Sequence, residues 1–145
     1  MAADSRKEDE RIGAALAAAG QHASHAALLV VGETLATPIP ILDPSGGFDS
    51  WFVPIVAGDV LPAYLRLSAE LGLVSCSRFG RPQDCKAWLD PLAITKRALE
   101  HAGTSHALAP PVLSFDSVPA RIAWRVVLAS GTIFVAGETV YRARP

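Results

Sequence analysis

The first thirty residues carry apolar side chains at intervals of three, four or seven. These positions are Ile12, Leu16, Ala19, Ala23 and Val30. Such spacing places them on one face of an α-helix, and Ser5 followed by Glu8 forms a capping box ahead of them. The pattern predicts a long N-terminal helix. Gly20 lies inside it and predicts a kink or a break, because glycine costs about 1 kcal/mol relative to alanine in a helix.

Signals for the two ends of a second helix surround residues 91–102. Asp90 is a good N-cap, Pro91 fits the first helical position, and Gly103 suits the position after the last turn. We therefore predict a helix over residues 91–102. Asp84 is interpreted in the same way, as a helix cap rather than as an acid or base.

The segment RIAWRVVL alternates apolar side chains on one face with mixed side chains on the other. This period of two predicts a half-buried strand, and two further strands follow it after tight turns at Gly131 and Gly137. In the first half of the chain, strands are predicted at 50–56, 60–67 and 73–79. Turns at Gly58 and near Gly72 separate them. Each half therefore consists of a helix followed by an antiparallel meander.

Two prolines fall within the predicted strands of the first half, at Pro54 and Pro62. Proline has no amide proton to donate to a neighbouring strand. We therefore expect these strands to be edge strands, to be bulged, or to be shorter than the apolar pattern suggests.

A repeated phrase connects the two halves. WFVPIVAG begins at Trp51 and WRVVLASG at Trp124, and a shift of 73 positions also places PIPILD on PVLSFD. The sequence thus predicts an α+β fold made of two fused helix-plus-antiparallel-meander repeats, residues 1–80 and 81–145, with the helices packed on one face of the sheet. One unit of about 70 residues is marginal by itself, so we expect the two to share one core in a single compact domain, with both tryptophans buried.

The composition narrows the function classes. Half of the 145 residues are hydrophobic, 19% are charged, and the formal net charge is −1, which excludes a disordered chain and gives no basic signature for nucleic acid. The longest apolar run is too short for a membrane helix, and the start is unlike a secretory signal. We expect a soluble cytoplasmic protein with no nucleic-acid or membrane partner.

Few residues match a known catalytic, metal-binding or ligand-binding motif. Cys76 and Cys85 are interpreted as two free thiols, with a disulfide left open. His22 and His25 share a helix side but lack a tight ligand cluster, so we expect no metal, no cofactor and no catalytic residue. In SRFGRP, two arginines flank an aromatic ring, an arrangement that can hold a carboxylate or phosphate. These arginines are Arg78 and Arg81.

The best candidate for a binding surface is the sheet face opposite the tryptophans. The shift of 73 positions places Phe48 and Phe52 there in the first half, and Arg121 and Arg125 in the second. Arginine beside aromatic side chains is enriched at protein interfaces. We hypothesise that this face binds a protein partner or a second copy of the chain, the alternative being that another segment of the same chain covers it.

The segments FDSVPARIAWRVVLASGTIFV and YLRLSAELGLVS resemble the PepSY and propeptide-like modules that accompany some bacterial proteases. The aspartate-glycine that these modules carry at their last hairpin is replaced here by AGET and AELG. The resemblance implies two tandem modules with a non-catalytic, protein-binding or inhibitory role, acting through a sheet face or a loop edge. The alternative is a small enzyme or ligand-binding protein with a pocket between helix and sheet.

Overall fold

The computed structural model describes residues 2–116 and 118–143, with side chains from residue 5 onward. This part of the chain is α+β, with helices and two antiparallel sheets. The elements in chain order are α1 (Ala2–His25), β1 (Thr34–Leu35), β2 (Ile39–Leu42), β3 (Phe48–Ala57), β4 (Val60–Ser68), β5 (Leu73–Asp84), α2 (Cys85–Leu89), α3 (Pro91–Ala102), β6 (Val112–Phe115), β7 (Ile122–Leu128), β8 (Gly131–Ala136) and β9 (Thr139–Arg142).

The chain divides into two compact units. The first consists of Met1–Pro40 with Asp49–Pro82, and the second of Ile41–Phe48 with Gln83–Pro145. The observed boundary falls two residues after the predicted one. The tip of the β2–β3 hairpin, which the sequence analysis placed in the first unit, belongs to the second. Whether the units share one core stays a prediction.

In the first unit, the long helix α1 accompanies a sheet with the strand order β1-β3-β4-β5, in which β2 also pairs with β3. The buried face of α1 is made of Ala15, Ala19 and Ala23, which recur every four residues. On the same helix, the Arg11 guanidinium lies 5.5 Å from the ring centroid of Trp51, which is buried on β3 as predicted.

The predicted N-terminal helix is confirmed, and it continues through Gly20 without a break. The predicted capping box is wrong, because the helix begins at Ala2 and Ser5 therefore lies inside it. It ends because Ala27 adopts a left-handed conformation with φ of 52°. The Leu28 amide then donates to the Ala23 carbonyl at 2.9 Å, which closes the last turn in the manner of a Schellman motif. Neither α1 nor any other helix of the described residues is long and apolar enough to cross a membrane.

Pro54 explains why the strand that precedes β3 is split into β1 and β2. Ala36 donates its amide to the Pro54 carbonyl at 2.9 Å, but Pro54 has no amide proton to return. The pairing is therefore interrupted between Leu35 and Ile39. β3 is an inner strand, and its register shifts between Ile55 and Ala57, which is the predicted bulge.

In the second unit, α2 and α3 accompany a sheet with the order β6-β7-β8-β9. The predicted helix over residues 91–102 is confirmed with both ends, since Asp90 caps it and Gly103 ends it with φ of 70°. Asp84 caps α2 as expected. The indole nitrogen of Trp124, which is buried on β7, donates to the Trp88 carbonyl of α2 at 2.7 Å. This bond ties the tryptophan strand to the helices.

Both units follow the predicted order of a helix and then an antiparallel meander, but their duplication stays a prediction. β2 and β6 lie 73 positions apart, as the repeat requires. The β3–β4 turn and the β7–β8 turn are only 71 positions apart, because β3 has ten residues and β7 has seven. Ala129 and Ser130 form the second of these turns, and Gly131, which was predicted in the turn, is instead the first residue of β8.

Gly137, in the turn between β8 and β9, is a position where no side chain fits. Its φ is 63°, and a Cβ built there would lie 2.6 Å from the Trp88 indole nitrogen. We expect Gly137→Ala to lower the free energy of unfolding by about 3 kcal/mol, of which about 1 comes from the left-handed backbone and the rest from overpacking.

The matched control is Gly103→Ala, in the same unit. Gly103 has a similar φ of 70°, with nothing within 4 Å of a built Cβ, so we expect only the backbone cost of about 1 kcal/mol. Urea unfolding followed by circular dichroism measures both variants. Equal losses would contradict the packing argument.

Candidate functional site

Three side chains lie side by side on one face of the second sheet. Arg125 of β7 is opposite Phe134 of β8, which is in turn opposite Tyr141 of β9. Since side chains alternate along a strand, Val127 and Thr132, which are also paired, lie on the same face. We call these five residues the aromatic–arginine face. It is the face opposite Trp124, where the sequence predicted a binding surface.

The aromatic pair gives this face a fixed shape. The rings of Phe134 and Tyr141 are stacked, with centroids 5.4 Å apart and planes inclined by 25°. Phe134 is buried and Tyr141 is half-buried. Stacked aromatic pairs contribute about 0.5–1.5 kcal/mol beyond the area that they bury, so the buried Phe134 ring holds the half-buried Tyr141 ring in place.

The tip of the β2–β3 hairpin covers one side of this face. The Arg125 Nη1 atom donates to the Pro44 carbonyl at 3.1 Å, and the Ser114 hydroxyl donates to the Leu42 carbonyl at 2.7 Å. Arg125 is consequently half-buried. Another segment of the same chain therefore covers this face at Arg125 and Ser114, which was the alternative to a binding surface. Val127 remains 37% exposed.

Asp43 holds this hairpin tip in one conformation. Its Oδ1 atom accepts hydrogen bonds from the Ser45 amide, the Ser45 hydroxyl and the Gly47 amide at 2.9, 2.6 and 3.0 Å. The bond from the Ser45 side chain, followed by that from Gly47, lowers the pKa of Asp43 below its usual value. The Pro44 carbonyl is therefore presented to Arg125 by a rigid turn.

A carboxylate connects the other end of the face to the loop before β7. The Tyr141 hydroxyl donates to Asp116 Oδ2 at 3.0 Å, and Arg121 Nη1 lies 3.5 Å from the same oxygen. Burial, together with the hydrogen bond and the charge of Asp116, raises the pKa of Tyr141 to about 12. The phenol is therefore protonated at neutral pH. Arg121 itself is exposed and lies in the loop just before β7 rather than on the strand, and its role in binding stays a prediction.

The first unit does not present its phenylalanines as expected. Phe52 is only 1% exposed, because its ring stacks on Tyr64 at 4.6 Å and Tyr64 contacts Phe79 at 5.8 Å. The expectation that Phe52 is available to a partner is therefore corrected: it is a core residue. Phe48, which belongs to the second unit, is half-buried, and its role in binding stays a prediction.

The residue paired with Phe52 is a buried arginine, Arg66. Its Nη2 atom lies 3.0 Å from Asp49 Oδ2, and its Nε donates to the Ser50 hydroxyl at 3.0 Å. Buried charges in proteins are generally paired in this way. Asp49 neutralises the charge of Arg66. Arg66 therefore stabilises the pairing of β3 with β4 and does not present its charge to a ligand.

Arg78 is likewise committed to a carboxylate. Its two terminal nitrogens donate to both oxygens of Glu33 at 2.9 and 2.7 Å, and Nη2 also donates to the Leu28 carbonyl at 2.8 Å. The hydrogen bond from Arg78 lowers the pKa of Glu33 to about 2. The expected anion site at Arg78 is therefore corrected, because Glu33 already occupies the fork. Arg81 is exposed, and its role stays a prediction.

The histidines and cysteines do not converge on a reactive centre. The Nε2 atom of His22 lies 3.0 Å from the Leu71 carbonyl, so this ring fastens α1 to the β4–β5 turn. Cys76 and Cys85 are both reduced, and burial raises the pKa of the Cys76 thiol. Among the residues that the structure describes, no three side chains are grouped to hold a metal ion.

Two open grooves are described, and each follows a helix surface. One, of about 720 Å³, is lined by residues 17–25 of α1, including His22 and His25. The other, of about 460 Å³, is lined by α2, α3 and the cap between them, including Lys96 and Glu100. Neither has a strand residue in its lining, so neither is the pocket between helix and sheet that an enzyme was expected to have.

Comparison with protein-family models, with curated proteins and with solved structures gives no match for this chain.

The sequence analysis did not single out three residues of this site, Phe134, Tyr141 and Asp116. The alternation in TIFVA and TVYRA carries the signal for the two aromatic residues, because it places each on the face opposite Trp124 once the hairpin register is known. No sequence signal could have shown that Asp116 reaches Tyr141, which is 25 residues away.

Tyr141 should titrate near pH 12 because it is buried and bonded to Asp116. We expect Asp116→Asn to lower that pKa, since it removes the negative charge that opposes the phenolate. The ultraviolet absorbance of tyrosinate measures this pKa in a Tyr64→Phe background. Because the chain has two tyrosines, only Tyr141 then contributes to the titration. An unchanged titration in Asp116→Asn would show that burial alone raises the pKa.

Glu33→Gln should destabilise the first unit by about 1 kcal/mol at neutral pH, a small effect because Arg78 is 40% exposed and solvent screens the pair. The folded pKa of Glu33, about 2, is below its ordinary 4.5. The stabilisation is therefore present above pH 4.5 and is lost as the pH falls towards 2.

Urea unfolding at a series of pH values checks this pH dependence. The control is Glu70→Gln, which removes an exposed carboxylate from the same unit. The prediction fails if the difference between wild type and Glu33→Gln persists unchanged as the solution is acidified.

Proposed function

We propose that this protein is a non-catalytic binding or inhibitory module that holds a protein partner on the aromatic–arginine face. The cytoplasm is the proposed compartment. The observation that carries the proposal is the row of Arg125, Phe134 and Tyr141 across three neighbouring strands.

The composition of this row is that of a binding hot spot. Tyrosine and arginine are the residues, with tryptophan, that most often dominate the energy of protein interfaces. An aromatic ring supplies contact area, and a guanidinium supplies directed hydrogen bonds. The half-buried Tyr141, supported by the buried Phe134, and the half-buried Arg125 thus combine both contributions within one patch.

The row is also held in place before any partner arrives. Arg125 is bonded to the Pro44 carbonyl, and the Tyr141 hydroxyl is bonded to Asp116. Side chains that are ordered in advance lose less conformational entropy when a complex forms. This order favours binding through a fixed surface over binding through a mobile loop.

One edge of the patch remains open to a partner. Val127 is 37% exposed, and Thr132 beside it is half-buried. An apolar side chain next to preordered aromatic and cationic groups gives the polar and apolar mixture that such interfaces have. The likeness to PepSY and propeptide-like modules points to the same kind of role.

The ionisable groups support binding over catalysis. Tyr141 has a raised pKa and stays protonated at neutral pH, which makes it a poor base. The pKa of the Cys76 thiol is also raised, so it is a weak nucleophile. The carboxylates of Glu33 and Asp49 are paired with arginines. The phenol and the two carboxylates therefore stabilise the fold through hydrogen bonds and ion pairs, which supports a binding role over a catalytic one.

A photoreactive amino acid placed at Thr132 tests the proposal in an extract of the native source. We expect one major protein adduct, which Val127→Glu reduces about tenfold because a buried carboxylate costs more than 1.4 kcal/mol. The control carries the same photoreactive group at Lys96, which is exposed on α3.

The two sites separate specific from chance contact. An adduct that forms equally at Thr132 and Lys96, or that survives Val127→Glu in a folded variant, would rule out the aromatic–arginine face. Purified chain illuminated alone shows whether the adduct is a second copy of the chain or another protein.

A further inference from the structure

β5 is an edge strand of its sheet, and β4 lies along one side of it only. In an antiparallel ladder, the N–H and C=O groups of every second residue point away from the neighbouring strand. We propose that residues 73–77 of β5 pair antiparallel with the same residues of a second copy of this chain. This surface is separate from the aromatic–arginine face and goes beyond the function proposed above.

The first part of β5 lacks the features by which proteins protect edge strands. Those features are short length, charged side chains and proline. Residues 73–77 read LVSCS, with neither charge nor proline, and Leu73 and Val74 are 37% and 58% exposed. The second part, by contrast, carries Arg78, Arg81 and Pro82, so the unprotected stretch ends at Ser77.

Other strands at sheet edges differ from it. β1 has only two residues, and β2, β6 and β9 have four each. β9 also ends on Arg142, whose guanidinium donates to the Ser130 carbonyl. β5 has twelve residues, so it is the edge long enough for a five-residue ladder. A further strand along its exposed apolar end would bury Leu73 and Val74.

A second copy fits this edge because a two-fold axis pairs a strand antiparallel with itself. With the axis at Ser75, Leu73 would lie opposite Ser77 and Val74 opposite Cys76 of the other copy. No like charges then face each other. Arg78, the nearest charged residue, is neutralised by Glu33 at 2.7 Å, so the two edges approach without electrostatic repulsion.

The cross-strand neighbours are also compatible. Val74 would lose its exposure against the half-buried Cys76 of the other copy, and a thiol with a raised pKa behaves as a small apolar group. Five paired residues bury less than a standard interface of about 1,600 Å². The dimer is therefore weak, and its population rises with concentration.

The test uses the full chain with Cys76→Ser and Cys85→Ser, and it adds Ser75→Cys so that one thiol lies at the two-fold axis. A mild oxidant should give disulfide-linked dimer at least tenfold faster than in the control. The control carries Ser105→Cys instead, at a position more exposed than Ser75. Sedimentation of the wild type should show a mass that rises towards the dimer with concentration.

Val74→Lys supplies the second measurement, since an exposed lysine on an edge strand opposes pairing. Circular dichroism checks that the variant is folded. We expect it to remain a monomer at all concentrations and to slow the cross-linking of Ser75→Cys to the rate of the control.

Three results would overturn the proposal. One is a cross-linking rate at Ser75→Cys no higher than at Ser105→Cys. Another is a dimer that persists in Val74→Lys, which would place the contact elsewhere. The third is a wild-type chain that stays monomeric while an added extended peptide pairs with β5, which would assign the edge to another protein. None of these results bears on the aromatic–arginine face.

Discussion

The hydrogen bonds that Leu42 and Pro44 accept from Ser114 and Arg125 decide which part of the second sheet stays open. Ser114 is fully buried, so its hydroxyl needs a partner, and the hairpin tip provides one. The same contact holds Arg125 beside Phe134. The tip thus covers one side of the aromatic–arginine face and orders the side chains that remain accessible.

A proline determines how that tip is built. Because Pro54 has no amide proton, the strand opposite it is interrupted, and β2 begins as a separate strand leading into the turn at Asp43. The bonds that Asp43 accepts from Ser45 and Gly47 then fix the turn.

The ion pairs of this protein have structural consequences that favour recognition over chemistry. Glu33 orders the turn after α1, since it accepts from the Val30 amide as well as from Arg78. Asp116 orients Tyr141 in the same manner. Each carboxylate is thereby engaged in holding backbone or aromatic groups in position.

The amino-acid sequence by itself determined the elements that depend on neighbours along the chain. Asp90, Pro91 and Gly103 specify α3 because caps and turn residues act within a few positions. The alternation around Trp124 specified β7 for the same local reason and placed that tryptophan on one face of the strand.

The tertiary structure alone decided which polar and aromatic groups meet across long intervals. Arg78 donates hydrogen bonds to Glu33, which is 45 residues away, and Arg125 donates one to the Pro44 carbonyl, which is 81 residues away. Periodicity places a side chain on a face, but it does not say what covers that face. Phe52 was therefore correctly placed opposite Trp51 and wrongly taken as accessible, because the ring of Tyr64 on the neighbouring strand covers it.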